Sequence, residues 1–191
     1  MLPFGRCFFV RQFRFILGAD PLGLKMTQFD ILSQTAEPQA LLQLLDIAFG
    51  PGRVTRTAER LREGNRQISD YDRMAVTKTD GALVGAISFW PIAIGGTAGL
   101  LLGPLAVHPD MQGQGVGLAL MQDALVAIDK TRFAFTLLVG DLPYYQKCGF
   151  AVAPATVKLP GPVDPQRLLV CGEAKLCAAL SGMVRRAPEL C

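Results

Sequence analysis

The sequence predicts one α/β domain of the α+β type, with strands and amphipathic helices packed around a single core. Three observations carry that expectation. The chain has 191 residues, 50% of them hydrophobic and only 18% charged, which suits one well-packed domain and is cramped for two. Apolar residues switch between the 3.6-residue period of a helix and short continuous runs typical of buried strands. Glycine and proline, 20 and 13 of them, fall between these segments and mark where each must stop.

The elements follow in order, with 1–25 read as an extension, 26–180 as the domain and 181–191 as a C-terminal tail. "FDIL" at 29–32 reads as a strand, and "TAEPQALLQLLDIAFG" as a helix with Thr35 as its cap. Leu41, Leu44, Leu45 and Ala48 recur at i, i+3, i+4 and i+7 on one face, and Gly50-Pro51-Gly52 ends the helix. A shorter helix over Thr57–Glu63 precedes "RMAVTK" and "ALVGAISFWPIAI", two strands of a hairpin turning at Thr79-Asp80-Gly81. "GLLLGPLAV" at 99–107 is a long apolar strand, followed by a glycine loop and a helix to about Asp129 with Leu118, Met121, Leu125 and Ile128 on one stripe. "RFAFTLLVG" at 132–140 reads as a strand, "LPYYQKC" as a short helix, and "GFAVA" and "RLLVCG" as closing strands separated by a proline-rich loop at 153–166.

Composition excludes several function classes. The formal net charge is +3, but Arg6, Arg11, Arg14 and Lys25 against Asp20 account for it, and the rest of the chain is balanced. No basic face or stripe advertises nucleic acid. The five cysteines lack the CxxC spacing of a metal site and read as reduced thiols of a cytoplasmic protein; no metal is expected. Apolar runs in residues 1–25 are too short for a secretory signal, so that segment reads as an over-extended start ahead of Met26. Gly85 and Pro91 break the apolar run 82–94, so no membrane span is expected.

The stretch "LAVHPDMQGQGVGLALM" places Gly113, Gly115 and Gly117 at alternate positions where a helix opens. Such a turn favours an anion, because first-turn N–H groups have no helical partner and the helix dipole is positive there. A dinucleotide fingerprint needs a further glycine at 118 or 120, and both are leucine. A nucleoside-triphosphate loop needs a lysine, and none lies between Lys78 and Lys130. The glycines point to close approach of a ligand to the backbone.

The run "LAVHPDMQGQGVGLAL" resembles the acetyl-coenzyme A motif of the GNAT acyltransferase superfamily, Gln/Arg-x-x-Gly-x-Gly/Ala, at Gln112, Gly115 and Gly117. Downstream, "YYQKCGF" at 144–150 is similar to the family's aromatic-Tyr-x-x-x-Gly-Phe segment. Together with "VGDLPYYQKCGF", these look most like a bacterial subgroup of small predicted N-acetyltransferases. The resemblance implies the GNAT fold: a mixed, mostly antiparallel, twisted sheet of about seven strands flanked by helices, with a splayed pair of central strands. It implies acetyl-CoA as cosubstrate, bound by Leu105, Ala106 and Val107 at a strand edge and by Gln112, Gly113, Gln114, Gly115, Val116, Gly117 and Leu118 around the pyrophosphate. Pro104 fits an edge or bulge in that strand.

Transfer to an amine requires a base for its proton and an acid for the departing thiolate. Tyr145 matches the family's general acid, and a phenol with a pKa near about 10 stays protonated at neutral pH. Tyr144 reads as a packing residue. For the base, the central strands hold no carboxylate; His108 and Asp141 are candidates, although a loop position and helix capping explain them equally well. Arg53, Arg56, Arg60, Arg62 and Arg66 flank the expected acceptor site, either as a solvated face or as recognition of an anionic acceptor. The expected activity is N-acetylation of a primary amine of a small molecule or peptide by direct attack. Homodimers are common in the family, which makes a second copy of the chain a candidate partner. The alternatives are a non-catalytic acyl-CoA-binding or sensing module and, more distantly, a dinucleotide-binding protein.

Overall fold

The computed structural model describes residues 28–50, 52–53 and 57–191. The N-terminal extension, the start at Met26, Pro51 and Arg56 lie outside them. The elements are β1 (Phe29–Leu32), α1 (Pro38–Phe49), α2 (Glu59–Arg62), β2 (Arg73–Thr77), β3 (Leu83–Ile94), β4 (Thr97–Val107), α3 (Val116–Ala127), β5 (Phe135–Val139), α4 (Leu142–Tyr145), β6 (Ala151–Val152), β7 (Val157–Lys158), β8 (Leu168–Gly172), α5 (Ala174–Ala179), β9 (Gly182–Met183) and β10 (Arg185–Arg186). The main sheet runs β1-β2-β3-β4-β5-β8-β6, with β10 on β3 beyond the end of β2. Its pairings are antiparallel except for β4 with β5. The mixed sheet and its flanking helices match the expected class.

Two helices cover opposite faces. On one face α1 packs Leu44 and Leu45 against Ala86 and Ala106, small residues that let the helix approach closely. Glu37, rather than Thr35, caps α1: its carboxylate accepts from Ala40 N at 2.9 Å, with Pro38 following at the first helical position. The Thr35 hydroxyl donates instead to Asp72 at 2.7 Å. On the other face α3 buries Val116, Leu120, Met121 and Ala124. Its buried face is rotated from the expected stripe, since Leu118 and Leu125 are only half-buried. The hairpin turns as expected, with Gly81 at φ +72° and Asp80 accepting from Ala82 N.

The segment 181–191, expected as a tail, joins the fold instead. Val184 and Ala187 are buried, and Arg185 and Arg186 pair with Ala93 and Ile92 of β3. Two-residue strands carry too little periodicity to be read in advance.

The middle of β4 determines what the sheet can do. Ile87 pairs with Leu105 and Phe89 with Leu102, so β4 carries one extra residue at Gly103-Pro104. That is a bulge, with Gly103 at φ +121°. The extra residue shifts the alternation, so Leu100, Leu102, Leu105 and Val107 all pack into the core cluster that includes α3. Pairing of β4 with β5 stops at Leu101 and Leu137, and beyond it the strands separate. This is the splayed pair.

Candidate active site

The separation opens the far edge of β4. Ala106 pairs with Ala86 and His108 N donates to Val84 O at 2.8 Å. Antiparallel alternation therefore turns the N–H and C=O groups of Leu105 and Val107 away from β3, toward the gap. Of the three expected edge residues, Ala106 uses its own backbone on β3.

A groove of about 460 Å³ runs from this edge along the start of α3, lined among others by Leu105, Val107, Gly113, Gly115, Tyr144 and Lys147. Gly113 and Gly115 have φ of +76° and +84°, and Gly115 occupies the N-cap position. The first intrahelical bond is Ala119 N to Gly115 O at 3.0 Å. The N–H groups of Val116, Gly117 and Leu118 therefore precede the helical ladder and have no intrahelical partner, the feature by which helix starts favour anions. Gln112 donates to Val107 O at 3.3 Å and Gln114 to Asp110 O at 2.9 Å, bracing the loop. Of the expected residues, Leu105, Val107, Gln112, Gly113 and 115–118 line this groove, while Ala106 and Gln114 do not. Gly117 has a different reason to be glycine than ligand approach, because a Cβ there would collide with the Tyr144 hydroxyl.

A second cavity, about 620 Å³, lies between the C-terminal end of α1, α2, the β4 bulge and the ends of β5 and α4. Phe49, Leu105 and Tyr145 line both cavities, so the two meet at those side chains. Tyr145 is held edge-on between Tyr144 and Phe150, with ring centroids 5.0 and 6.0 Å away. Its ring also covers Gly140, where a Cβ would overlap it. Burial, with the neighbouring Tyr144 and Asp141, pushes its pKa up to about 12, so the phenol keeps its proton throughout the neutral range.

The candidates for a base separate. His108 caps the turn Pro109–Met111, its Nδ1 accepting from Asp110 N, and it lines neither cavity. Asp141 lines the larger cavity and, although it stands before α4, makes no side-chain cap; it pairs instead with Arg167 at 3.1 Å. Among the expected arginines, Arg53 and Arg62 line that cavity, while Arg60 donates to Pro160 O at 2.8 Å. Arg53 pairs with Asp46 at 2.9 Å, and Arg62 with Glu59. Sequence reading missed Lys147 and Tyr144 as groove residues and Glu59, Asp164 and Arg167 as cavity residues. The only advance signal was the position of Tyr144 and Lys147 inside the second motif. Among the described residues, no group of His, Cys, Asp and Glu is placed to hold a metal, and no helix is long and apolar enough to cross a membrane.

A profile for the acetyltransferase (GNAT) domain matches residues 70–152, from the start of β2 through β6. No curated protein sequence matches the chain. Among solved structures, the GNAT family N-acetyltransferase YhbS from Escherichia coli, in complex with CoA, is 20% identical with a TM-score of 0.69, covering 84% of this chain and 91% of its own. A GNAT family acetyltransferase from Brucella melitensis in complex with acetyl-CoA is 26% identical with a TM-score of 0.53, covering 78% and 99%. A GNAT family acetyltransferase from Staphylococcus aureus Mu50 is 14% identical with a TM-score of 0.51, covering 75% and 98%. The profile identifies an acetyltransferase (GNAT) domain over residues 70–152, and the splayed sheet around it shares its fold with these GNAT structures.

Proposed function

We propose that the protein is an N-acetyltransferase that moves the acetyl group of acetyl-CoA to a primary amine by direct attack, with Tyr145 as general acid. The observation that carries this is the meeting of two cavities at Tyr145, one lined by the glycine loop and one by charged and apolar side chains. The Escherichia coli and Brucella relatives, in complex with CoA and acetyl-CoA respectively, support reading the glycine-lined groove as the donor site.

In this reading the α3 N-terminus and the loop glycines hold the pyrophosphate, with the Lys147 ammonium on the groove wall. The backbone groups of Leu105 and the N–H of Val107 pair with the amide arm as an added strand would. The amine nitrogen forms its bond to the thioester carbonyl carbon as the carbon–sulfur bond breaks. Tyr145 gives its proton to the leaving thiolate, and the proton lost by the nitrogen leaves through Asp141 or solvent and restores the phenol. The products are the N-acetyl amine and the free thiol. Free thiols at Cys148, Cys171, Cys177 and Cys191 fit a reducing compartment, the cytoplasm.

The test is thiol release from acetyl-CoA with a panel of amines, alongside the dissociation constant for CoA. Tyr145→Phe is expected to lower kcat by about 10²–10⁴-fold and to leave CoA binding intact. Undiminished release by that variant removes Tyr145 from its role. Tight CoA binding without transfer to any amine identifies an acyl-CoA-binding module instead.

A further inference from the structure

We propose that the acceptor is a small amine that carries its own anionic group, of carboxylate or phosphate type, at the end away from the amine. This rests on reading the larger cavity as the acceptor chamber. Its charged lining is balanced overall but divided between two walls. The α1–α2 wall contributes Arg53, Arg62 and Glu59, while β5, α4 and the 160–167 segment contribute Asp141, Asp164 and Arg167. One wall is therefore net positive and the other net negative.

The division has a direction. The Asp141 carboxylate stands at the Tyr145 end, and its backbone oxygen accepts from Tyr145 N at 3.3 Å. An ammonium drawn to that wall arrives where Tyr145 serves the leaving thiolate. The opposite wall is the drier one: the side chains of Arg53 and Arg62 are 18% and 13% exposed, against 77% for Asp141 and 51% for Arg167. A charge-assisted pair is stronger where water is thinned out. The partner of Arg53, Asp46, lies outside the chamber lining, and one carboxylate does not saturate the five donors of a guanidinium. An amine whose anionic end meets these arginines aligns with the field between the walls.

The chamber also limits size. Thr57 Oγ1 donates to Pro162 O at 2.5 Å, and Arg60 Nη1 to Pro160 O at 2.8 Å. Thr57 and Pro162 both line the chamber, so these bonds join its two walls there. Gly161 fits the seam, since a Cβ there would lie 3.0 Å from Thr57. A volume of about 620 Å³ bounded on this side suits a small molecule.

The experiment compares ω-amino carboxylates and aminoalkyl phosphates with alkylamines of matched length, and with a peptide bearing a free N-terminus. Acetyl transfer is read as kcat/KM, and binding to the CoA complex is read by calorimetry. At least one anionic series is expected to exceed its alkylamine by about tenfold or more in both readouts. Arg53→Gln and Arg62→Gln are expected to collapse that ratio toward one, with the CoA-induced rise in melting temperature retained as proof of folding. Transfer without preference for an anionic amine, or with the peptide preferred, overturns the assignment and leaves the acetyltransferase reading standing. Preferential binding of anionic amines without transfer upholds the assignment and overturns that reading.

Discussion

Asp72 is a buried carboxylate that neither cavity uses. It is 1% exposed, accepts from the Thr35 hydroxyl at 2.7 Å and from the Gln67 amide, and its pKa is also lowered by the Phe89 backbone N–H. Burial raises its pKa above the ordinary carboxylate value, against those hydrogen bonds and the adjacent Arg73. For an acid whose folded pKa lies above its unfolded one, folding favours the protonated form. Stability is then greatest below the unfolded pKa and falls as pH rises through the folded one. Asp80 and Asp129 act oppositely, since hydrogen bonds from Thr77 and Thr131 lower their pKa values and their contribution is lost as pH falls. Comparing wild type with Asp72→Asn cancels those terms. The variant's carbonyl still accepts from Thr35 and Gln67, so it is expected to be more stable at neutral pH by on the order of 1 kcal/mol. The gap should close as pH drops below about 4, as read from urea unfolding across pH. A gap independent of pH would remove the ionised carboxylate as its cause.

At the scale of elements, α4 governs the start of α3. The GNAT motif allows alanine at the position of Gly117, but here a Cβ meets the Tyr144 hydroxyl, with Val107 Cγ2 at 3.4 Å on another side. Tyr144 is 37% exposed and lines the same groove, so giving way moves it within that groove. Gly117→Ala should therefore weaken acetyl-CoA binding by about tenfold while changing stability little, because the helical gain of about 0.5–1 kcal/mol offsets the crowding. Tyr144→Phe removes the colliding oxygen and should restore binding in the double variant, measured as KM for acetyl-CoA. Additive losses would disprove the contact. This coupling also shows what sequence could reveal. Gly113, Gly115 and Tyr145 were legible because a positive φ demands glycine and because motif spacing singles out one phenol. The partner of Gly117 was not, since it lies 27 residues downstream on another helix. The larger cavity was less legible still: its seam joins Thr57 to Pro162 and Arg60 to Pro160, contacts across 105 and 100 residues. Arginine spacing on α2 cannot announce which of its members face inward.

At the scale of the molecule, the main sheet is divided where β4 and β5 part. β4 and β5 pair over only three residue positions before they part, and both cavities open beside that gap. To one side stand β1 to β4 with α1 and α3; to the other stand β5, β8 and β6 with α4. Tyr145 and Lys147 reach the donor groove from the second group, and the glycine loop and Leu105 from the first. A ligand in that groove therefore ties together two parts of the sheet that share little backbone pairing, and binds only when both are folded. Mass action then sets the size of the effect. At a CoA concentration 100 times its dissociation constant, stability should rise by about 2.7 kcal/mol. For a chain of this length that corresponds to a rise in melting temperature of about 5–10 °C. Tyr145→Phe should show the same rise, because under the proposed mechanism the phenol proton serves the leaving thiolate and not the resting complex. Lys147→Gln should show a smaller one, and its deficit should shrink as salt screens the lysine from the phosphates. NAD should produce no comparable shift. A rise with NAD but none with CoA would mean that the glycine loop holds a dinucleotide, and the donor site would have to be reassigned.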